Sequence, residues 1–260
     1  MKEKKVVYYR EETDILYESH VRTKTVDKDF DYERKGIADV LLRQVFVRLL
    51  VIPFARLWVR LVFRSAFVGR RKLRKHKGGC FVYGNHTQDV PDAFRAAACA
   101  SPRMSYIITH ADNVSFPGIR KLMMALGTLP IPTKLDGMRN FMAAVEKRCE
   151  KHPVVIFPEK TIWEYYTGIR PFTDASFHYP VKCNKPCFTM TVTYHKRKFS
   201  DKPREVVYID GPFYPDESLP VRERTEKLRD EVRGAMLRRA AESDYEYVRN
   251  VRLEKERPSA

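Results

Sequence analysis

The sequence predicts an α/β layer fold, with a largely parallel sheet flanked by helices and preceded by an N-terminal amphipathic helical pair. Three observations predict it. After Gly79, short apolar runs suited to buried strands alternate with helical stretches. Before it lies a segment rich in Leu, Val, Ile and Phe, studded with arginines. The 260 residues suffice for one sizeable core and demand no second domain.

Residues 1–36 form a polar, charge-mixed arm with scattered aromatics (Tyr8, Tyr9, Tyr17, Phe30, Tyr32) and no sustained period. Residues 37–78 form a second unit. Its apolar character is interrupted by Arg43, Arg48, Arg56, Arg60 and Arg64, so it falls short of the ~20 mostly apolar residues of a spanning helix. Arg56, Arg60 and Arg64 recur every four residues and share one helix face, with Phe54, Leu57, Trp58, Leu61, Val62 and Phe63 around them. Pro53 is expected to divide the segment into two helices. The basic tract GRRKLRKHKGG follows at 69–79, and together these features suit an amphipathic surface lying in a headgroup layer.

Residues 79–260 carry the alternating pattern. Strands are predicted at Cys80 to Tyr83, Met104 to Ile108, Val154 to Phe157, Phe188 to Tyr194 and Val206 to Ile209. Helices are predicted from Ala93 to Ala100, Gly118 to Leu126, Arg139 to Lys151, and Val221 to Ala241.

The 49 Lys plus Arg against 33 Asp plus Glu leave a formal charge of +16, which draws the chain toward an anionic partner. Nucleic acid is not the expected one, because the basic tract lacks interleaved aromatics and no helix-turn-helix or zinc pattern appears. Five cysteines without metal-ligand spacing, and no secretory signal at the start, are expected of reduced thiols in a cytoplasmic compartment. No metal is expected.

The stretch FVYGNHTQDVPDAF places His86 after a predicted strand and before a predicted helix, where open α/β sheets tend to build their sites. Asp89 and Asp92 lie three and six residues on, and either carboxylate would fix the ring in the tautomer of a general base. The competing reading has Asp89 capping the helix, Pro91 filling its first turn, and His86 closing a loop. A second strand ends in Pro158-Glu159, followed by Lys160, Thr161 and Arg170, which are donors for an anionic group. By itself, Glu159 reads more readily as half of a structural ion pair with a neighbouring Lys or Arg.

With both stretches in view, the chain resembles the glycerolipid acyltransferases of the lysophosphatidic acid acyltransferase type, over roughly residues 80–195. NHTQDVPD is similar to the hallmark Asn-His, four residues, Asp; FPEKT is similar to Phe-Pro-Glu-Gly-Thr, with Lys160 in the glycine's place. GTLPIPT at 127–133 and NKPCFTMTVTY at 184–194, with Pro186, resemble the remaining blocks. Where the family has its aspartate the chain has Pro91, so the motif is one residue longer and Asp92 becomes the natural orienting carboxylate, with Asp89 its competitor. Thr133 and Ile162 stand where the family places arginines. On charge alone, Lys134, Arg139 and Arg170 are nominated to bind an acceptor phosphate.

The resemblance implies that residues 79–260 form an acyltransferase domain. His86 would remove the proton from a lysophospholipid hydroxyl, 1-acylglycerol-3-phosphate above all, for attack on acyl-CoA or acyl carrier protein, with Asp92 orienting the ring. Glu159, Lys160 and Thr161 would bind substrate. No cofactor is implied beyond the thioester co-substrate, and the enzyme would sit peripherally on the cytoplasmic side of an acidic membrane. Two other readings remain: the same fold with a phosphate-free or amino-lipid acceptor, and a catalytically silent membrane-binding module.

Overall fold

The structure, a computed structural model, describes residues 5–16, 23–33, 36–115, 118 and 120–253. Tyr17 lies outside them. The first strand, β1 (Lys5–Tyr9), is followed by an extended run over 23–33 and then by a long helix. That helix comprises α1 (Ile37–Leu41), a π-wound stretch (Leu42–Val51) and α2 (Ile52–Val62), with helical dihedrals at both junctions. The expected pair of helices is therefore one rod. Ile52 donates its N–H five residues back to Val47, and Pro53 falls in the first turn after the winding reverts to α. The change of register absorbs the amide that proline lacks.

The chain continues through β2 (Ala66–Val68), α3 (Arg70–Lys75), β3 (Cys80–Gly84), α4 (Asp89–Ala100), β4 (Tyr106–Thr109), α5 (Arg120–Ala125) and β5 (Thr128–Pro130). It closes with α6 (Met138–Cys149), β6 (Pro153–Ile156), α7 (His178–Cys183), β7 (Cys187–Arg197), β8 (Ser200–Phe213), α8 (Val221–Ala240) and β9 (Val248–Arg252). The seven-stranded sheet has the order β2-β8-β7-β3-β6-β4-β5, and its pairs are parallel except β7 with β8. All five predicted strands and all four predicted helices of the α/β unit are present, with shifted ends.

Central β3 is buried at every residue, as its unbroken apolar run requires of a strand covered on both faces. Phe81 and Tyr83 pack with Phe141, Val145, Phe177, Val232 and Met236 on one side. Cys80 and Val82 pack with Leu73, Ala96 and Cys99 on the other. The arm belongs to the first side: Val26, Phe30 and Tyr32 are buried there, and the Tyr32 hydroxyl donates to the Pro130 carbonyl at 2.8 Å. The long helix crosses α4, where Trp58 and Phe54 meet the Phe94 ring at 5.0 and 6.3 Å between centroids.

β1 pairs in parallel with β9, joining two segments almost the whole chain apart. Tyr9 packs on Trp163 at 4.7 Å, and the Trp163 indole donates to the Asp14 carbonyl at 3.0 Å. This small sheet braces the loop after β6.

Gly79 marks the tightest backbone approach. A Cβ there would stand 1.8 Å from the Cys149 carbonyl oxygen, so Gly79→Ala is expected to cost at least about 2 kcal/mol. Urea unfolding, read as a lowered midpoint at unchanged slope, checks it.

Candidate active site

β3 ends at Gly84, where a Cβ would stand 2.8 Å from the Phe157 ring. The Asn85 side chain then extends the β3–β7 pairing beyond the strand, its amide donating to the Val192 carbonyl at 3.0 Å and its oxygen accepting the Val192 N–H at 2.8 Å. His86 is thereby delivered at the carboxyl edge of the parallel strands. Its ring stacks on Phe157 at 4.6 Å, and its side chain is 18% exposed.

His86 Nδ1 meets Asp92 Oδ2 at 2.9 Å. That same oxygen accepts the N–H groups of Thr87 and Gln88, each at 3.0 Å, and Oδ1 accepts from Arg95 at 2.5 Å. Four donors converge on this carboxylate, three at Oδ2 and one at Oδ1, so it serves purely as an acceptor. An acceptor at Nδ1 places the ring proton there and leaves the lone pair on Nε2, for which no protein partner occurs among the described residues. Asp89 begins α4 on its exposed first turn, and Gln88 is the cap residue. Pro91 sits in the first turn as well, where a missing N–H costs little.

Arg95 is fully buried and holds more than Asp92. Its Nε donates to Glu205 Oε2 at 3.0 Å, and its terminal nitrogen donates to Glu205 Oε1 at 2.5 Å and to Gln88 Oε1 at 2.9 Å. Burial alone would depress the guanidinium, but Glu205 and Asp92 outweigh it and hold the group above its ordinary value. Ser65 Oγ adds a 2.7 Å bond to Glu205, and Arg95 lies 5.3 Å over the Phe63 ring at the end of the long helix. Sequence reasoning missed both Arg95 and Glu205. The available signal was an arginine at i+3 from Asp92, on the sheet-facing side of an Ala-rich helix.

The loop after β6 lies against the first. Trp163 and Tyr165 donate their N–H groups to the His86 and Thr87 carbonyls at 3.2 and 3.1 Å. Glu159 accepts the His86 N–H at 3.0 Å and the Arg170 N–H at 2.9 Å, and its carboxylate stands 3.6 Å from the Arg170 guanidinium. Burial raises the Glu159 carboxyl, a tendency that Arg170 and the two N–H donors oppose. Arg170 is itself 2% exposed, bonded to Thr161 Oγ1 at 2.8 Å and to the Thr161 carbonyl, and 5.0 Å over Trp163. Two of the residues expected to bind substrate are thus engaged within the protein. Glu159 and Arg170 are occupied in joining the two loops, because a buried carboxylate needs donors and a buried guanidinium needs a counter-charge. Ile162 is buried.

Lys160 is exposed, with φ of 68°. A left-handed residue at this corner explains why a glycine suits it. Lys134 and Arg139 are exposed on the loop and helix after β5, at the same edge of the sheet but three strands from β3, about 14 Å away. Lys134 stands 3.8 Å from Asp27, and the arm bonds Thr133 through Val26.

An apolar cavity of about 80 Å³ flanks α4, lined by Val47, Val51 and Ile52 of the long helix and by Ala93, Phe94 and Ala97. Among the described residues no helix is long and apolar enough to cross a membrane.

Comparison with known proteins agrees with this fold. No curated sequence matches significantly. In fold, the chain is similar to the crystal structure of the 1-acyl-sn-glycerophosphate (LPA) acyltransferase PlsC from Thermotoga maritima, with a TM-score of 0.56 and 15% identity over 80% of this chain and 88% of that one. The model of the family described as Acyltransferase matches residues 64–193, half of the sequence, a range that holds His86, Asp92, Arg95, Glu159 and Arg170. The chain belongs to the acyltransferase family.

Proposed function

We propose that the protein moves a fatty acyl group from an acyl thioester, acyl-CoA or acyl carrier protein, to the free hydroxyl of 1-acylglycerol-3-phosphate, giving phosphatidic acid. The observation that carries this reading is the His86–Asp92 pair at 2.9 Å, with Nε2 unpartnered at the edge of the sheet. Nε2 takes the hydroxyl proton as the oxygen attacks the thioester carbonyl. The tetrahedral intermediate then expels the thiolate, and the imidazolium returns the proton to sulfur. Asp92 orients the ring and stabilises its charged form. The apolar cavity beside α4 suits part of an acyl chain.

With Arg170 engaged by Glu159, acceptor phosphate recognition falls to Lys160 and Thr161 beside the site, with Lys134 and Arg139 toward the sheet's edge. This favours testing a second reading, the same chemistry with a phosphate-free acceptor. Thioester-dependent acylation of lysophosphatidic acid, measured beside its monoacylglycerol and an amino-lipid, decides. Preference for the phosphorylated acceptor supports the first reading, preference for another the second. No transfer to any acceptor overturns both. In Lys160→Gly, relief of the left-handed backbone is expected to raise stability by about 0.5–1 kcal/mol. The KM for lysophosphatidic acid should rise at the same time, so calorimetric melting and kinetics move in opposite senses.

Peripheral docking on an acidic membrane is supported by the long helix, which leaves Leu41, Leu49, Leu50, Phe54 and Leu61 more than half exposed, and by the charge of +16. Replacing Leu50 and Leu61 by Glu is expected to weaken co-sedimentation with phosphatidylglycerol vesicles at least about tenfold, since each buried leucine is worth about 1.5–3 kcal/mol.

A further inference from the structure

The exposed arginine stripe of the long helix faces a second basic element across an open concavity. Arg56, Arg60 and Arg64 form one wall of a groove of about 1090 Å³, and Arg70, Arg71, Arg74 and Lys75, from the turn and helix after β2, form the other. No carboxylate lines it among the described residues, and none of these seven cations takes part in a salt bridge there. Lys72, on the same short helix, turns away and pairs with Asp210 at 3.1 Å. Leu73 anchors the helix in the core. Arg70 is fixed by bonds to the Ser101 and Cys99 carbonyls at 2.8 and 3.3 Å, and burial together with Arg56 and Arg74 depresses its guanidinium. So many like charges in a concavity form a focused positive field that an anion would relieve.

The groove starts at the reacting edge. Phe67 pairs with Val207, Val207 with Val192, and Val192 is bonded by Asn85, so Phe67 stands level with the residues that follow β3, and Ser65 and Arg64, just ahead of a strand running opposite to β3, lie beyond that level on the side of the reacting edge. Ser65 also donates to the same Glu205 that holds Arg95, the residue that in turn holds Asp92. From there the groove runs back along α4 past Ala98.

We propose that this groove binds the phosphorylated nucleotide end of coenzyme A, with the pantetheine arm reaching His86, so that a coenzyme A thioester is the donor. The assignment rests on the acyl-transfer reading for its role but not for its chemistry. Six of the seven cations are arginines, whose planar forks bind phosphate in bidentate fashion. Two facing walls enclose a ligand bearing several phosphates in succession. The phosphate plane of a bilayer meets the rim of such a groove and leaves its depth empty. A carrier protein offers one phosphodiester on a convex surface too broad to enter.

Titration calorimetry of the full chain with free coenzyme A, 3′-dephospho-coenzyme A and 4′-phosphopantetheine tests this. Affinity should fall in that order, by about tenfold at the first step, and weaken steeply with salt. The exposed-residue variant Arg60→Ser with Arg74→Ser should lose about tenfold or more for coenzyme A and raise the KM for acyl-CoA at little cost in kcat, while the KM for acyl carrier protein stays put. Undetectable coenzyme A binding overturns the proposal. So does a variant that binds coenzyme A normally but loses phosphatidylglycerol vesicles, which would make the groove a headgroup site. Coenzyme A binding of the expected pattern without acyl transfer to any acceptor would leave the groove standing and remove the acyltransfer reading. Acyl transfer with coenzyme A binding unchanged by the variant would do the reverse.

Discussion

His86→Ala is expected to lower kcat by about 10²–10⁴ with little change in KM for either substrate, the loss that follows when a positioned general base is removed. The ring is 18% exposed and makes a single side-chain hydrogen bond, so folding should survive and melting temperature serves as the control. Asp92→Asn is expected to approach the same loss by another route. Asparagine can still accept from the ring with its oxygen, but it lacks the charge that stabilises the imidazolium. Its amide nitrogen would also face the Arg95 guanidinium, donor against donor, where Asp92 Oδ1 now accepts at 2.5 Å. Asp89→Asn is expected to leave kcat within about twofold, since that carboxylate contributes only its first-turn interaction with the helix dipole. An active protein indifferent to His86 would refute the mechanism, and equal losses at Asp89 and Asp92 would remove Asp92 from its orienting role.

Arg95→Met is expected to be the most destabilising single change at the site, about 3–5 kcal/mol by denaturant unfolding. The guanidinium is 0% exposed and sits between Asp92 and Glu205, so its loss leaves Glu205 buried with only Ser65 and Gln88 for partners. The comparison that isolates the cause is the double change with Glu205→Met. Removing the orphaned charge should recover part of the stability, while Asp92 retains its N–H donors from Thr87 and Gln88. A double variant no better than Arg95→Met would mean that lost packing against Phe63, and not an unpaired charge, sets the cost. Activity should fall in both, because Arg95 positions the carboxylate that positions His86.

The strands and helices after Gly79 were legible because burial on both faces writes continuous apolar runs into parallel strands, and amphipathic packing writes a 3.6-residue period into helices. His86 was legible as a candidate from its place between such a strand and helix. Its partner was not: Asp89 and Asp92 are equivalent on spacing, and α4 had to begin at Asp89 before Asp92 could turn inward. Pro53 illustrates the opposite failure. A proline signals a lost hydrogen bond, yet whether the helix breaks or rewinds as π depends on what it packs against, here Met104 and Ala125 beneath Val47 and Ile52.

The sequence by itself determined the layer architecture, the strand-end positions of His86 and Glu159, and the excess of positive charge, because each follows from local period, composition or neighbour spacing. Only the tertiary structure decided which acid holds His86, that Glu159 and Arg170 tie two loops together, that Arg95 and Glu205 meet 110 positions apart, and that the arginine stripe faces a second basic wall across a groove. The physical reason is common to all four. A buried charge is stable only beside its partner, and which partner arrives is set by sheet order and helix crossing, properties of the packed whole that no local window of residues contains.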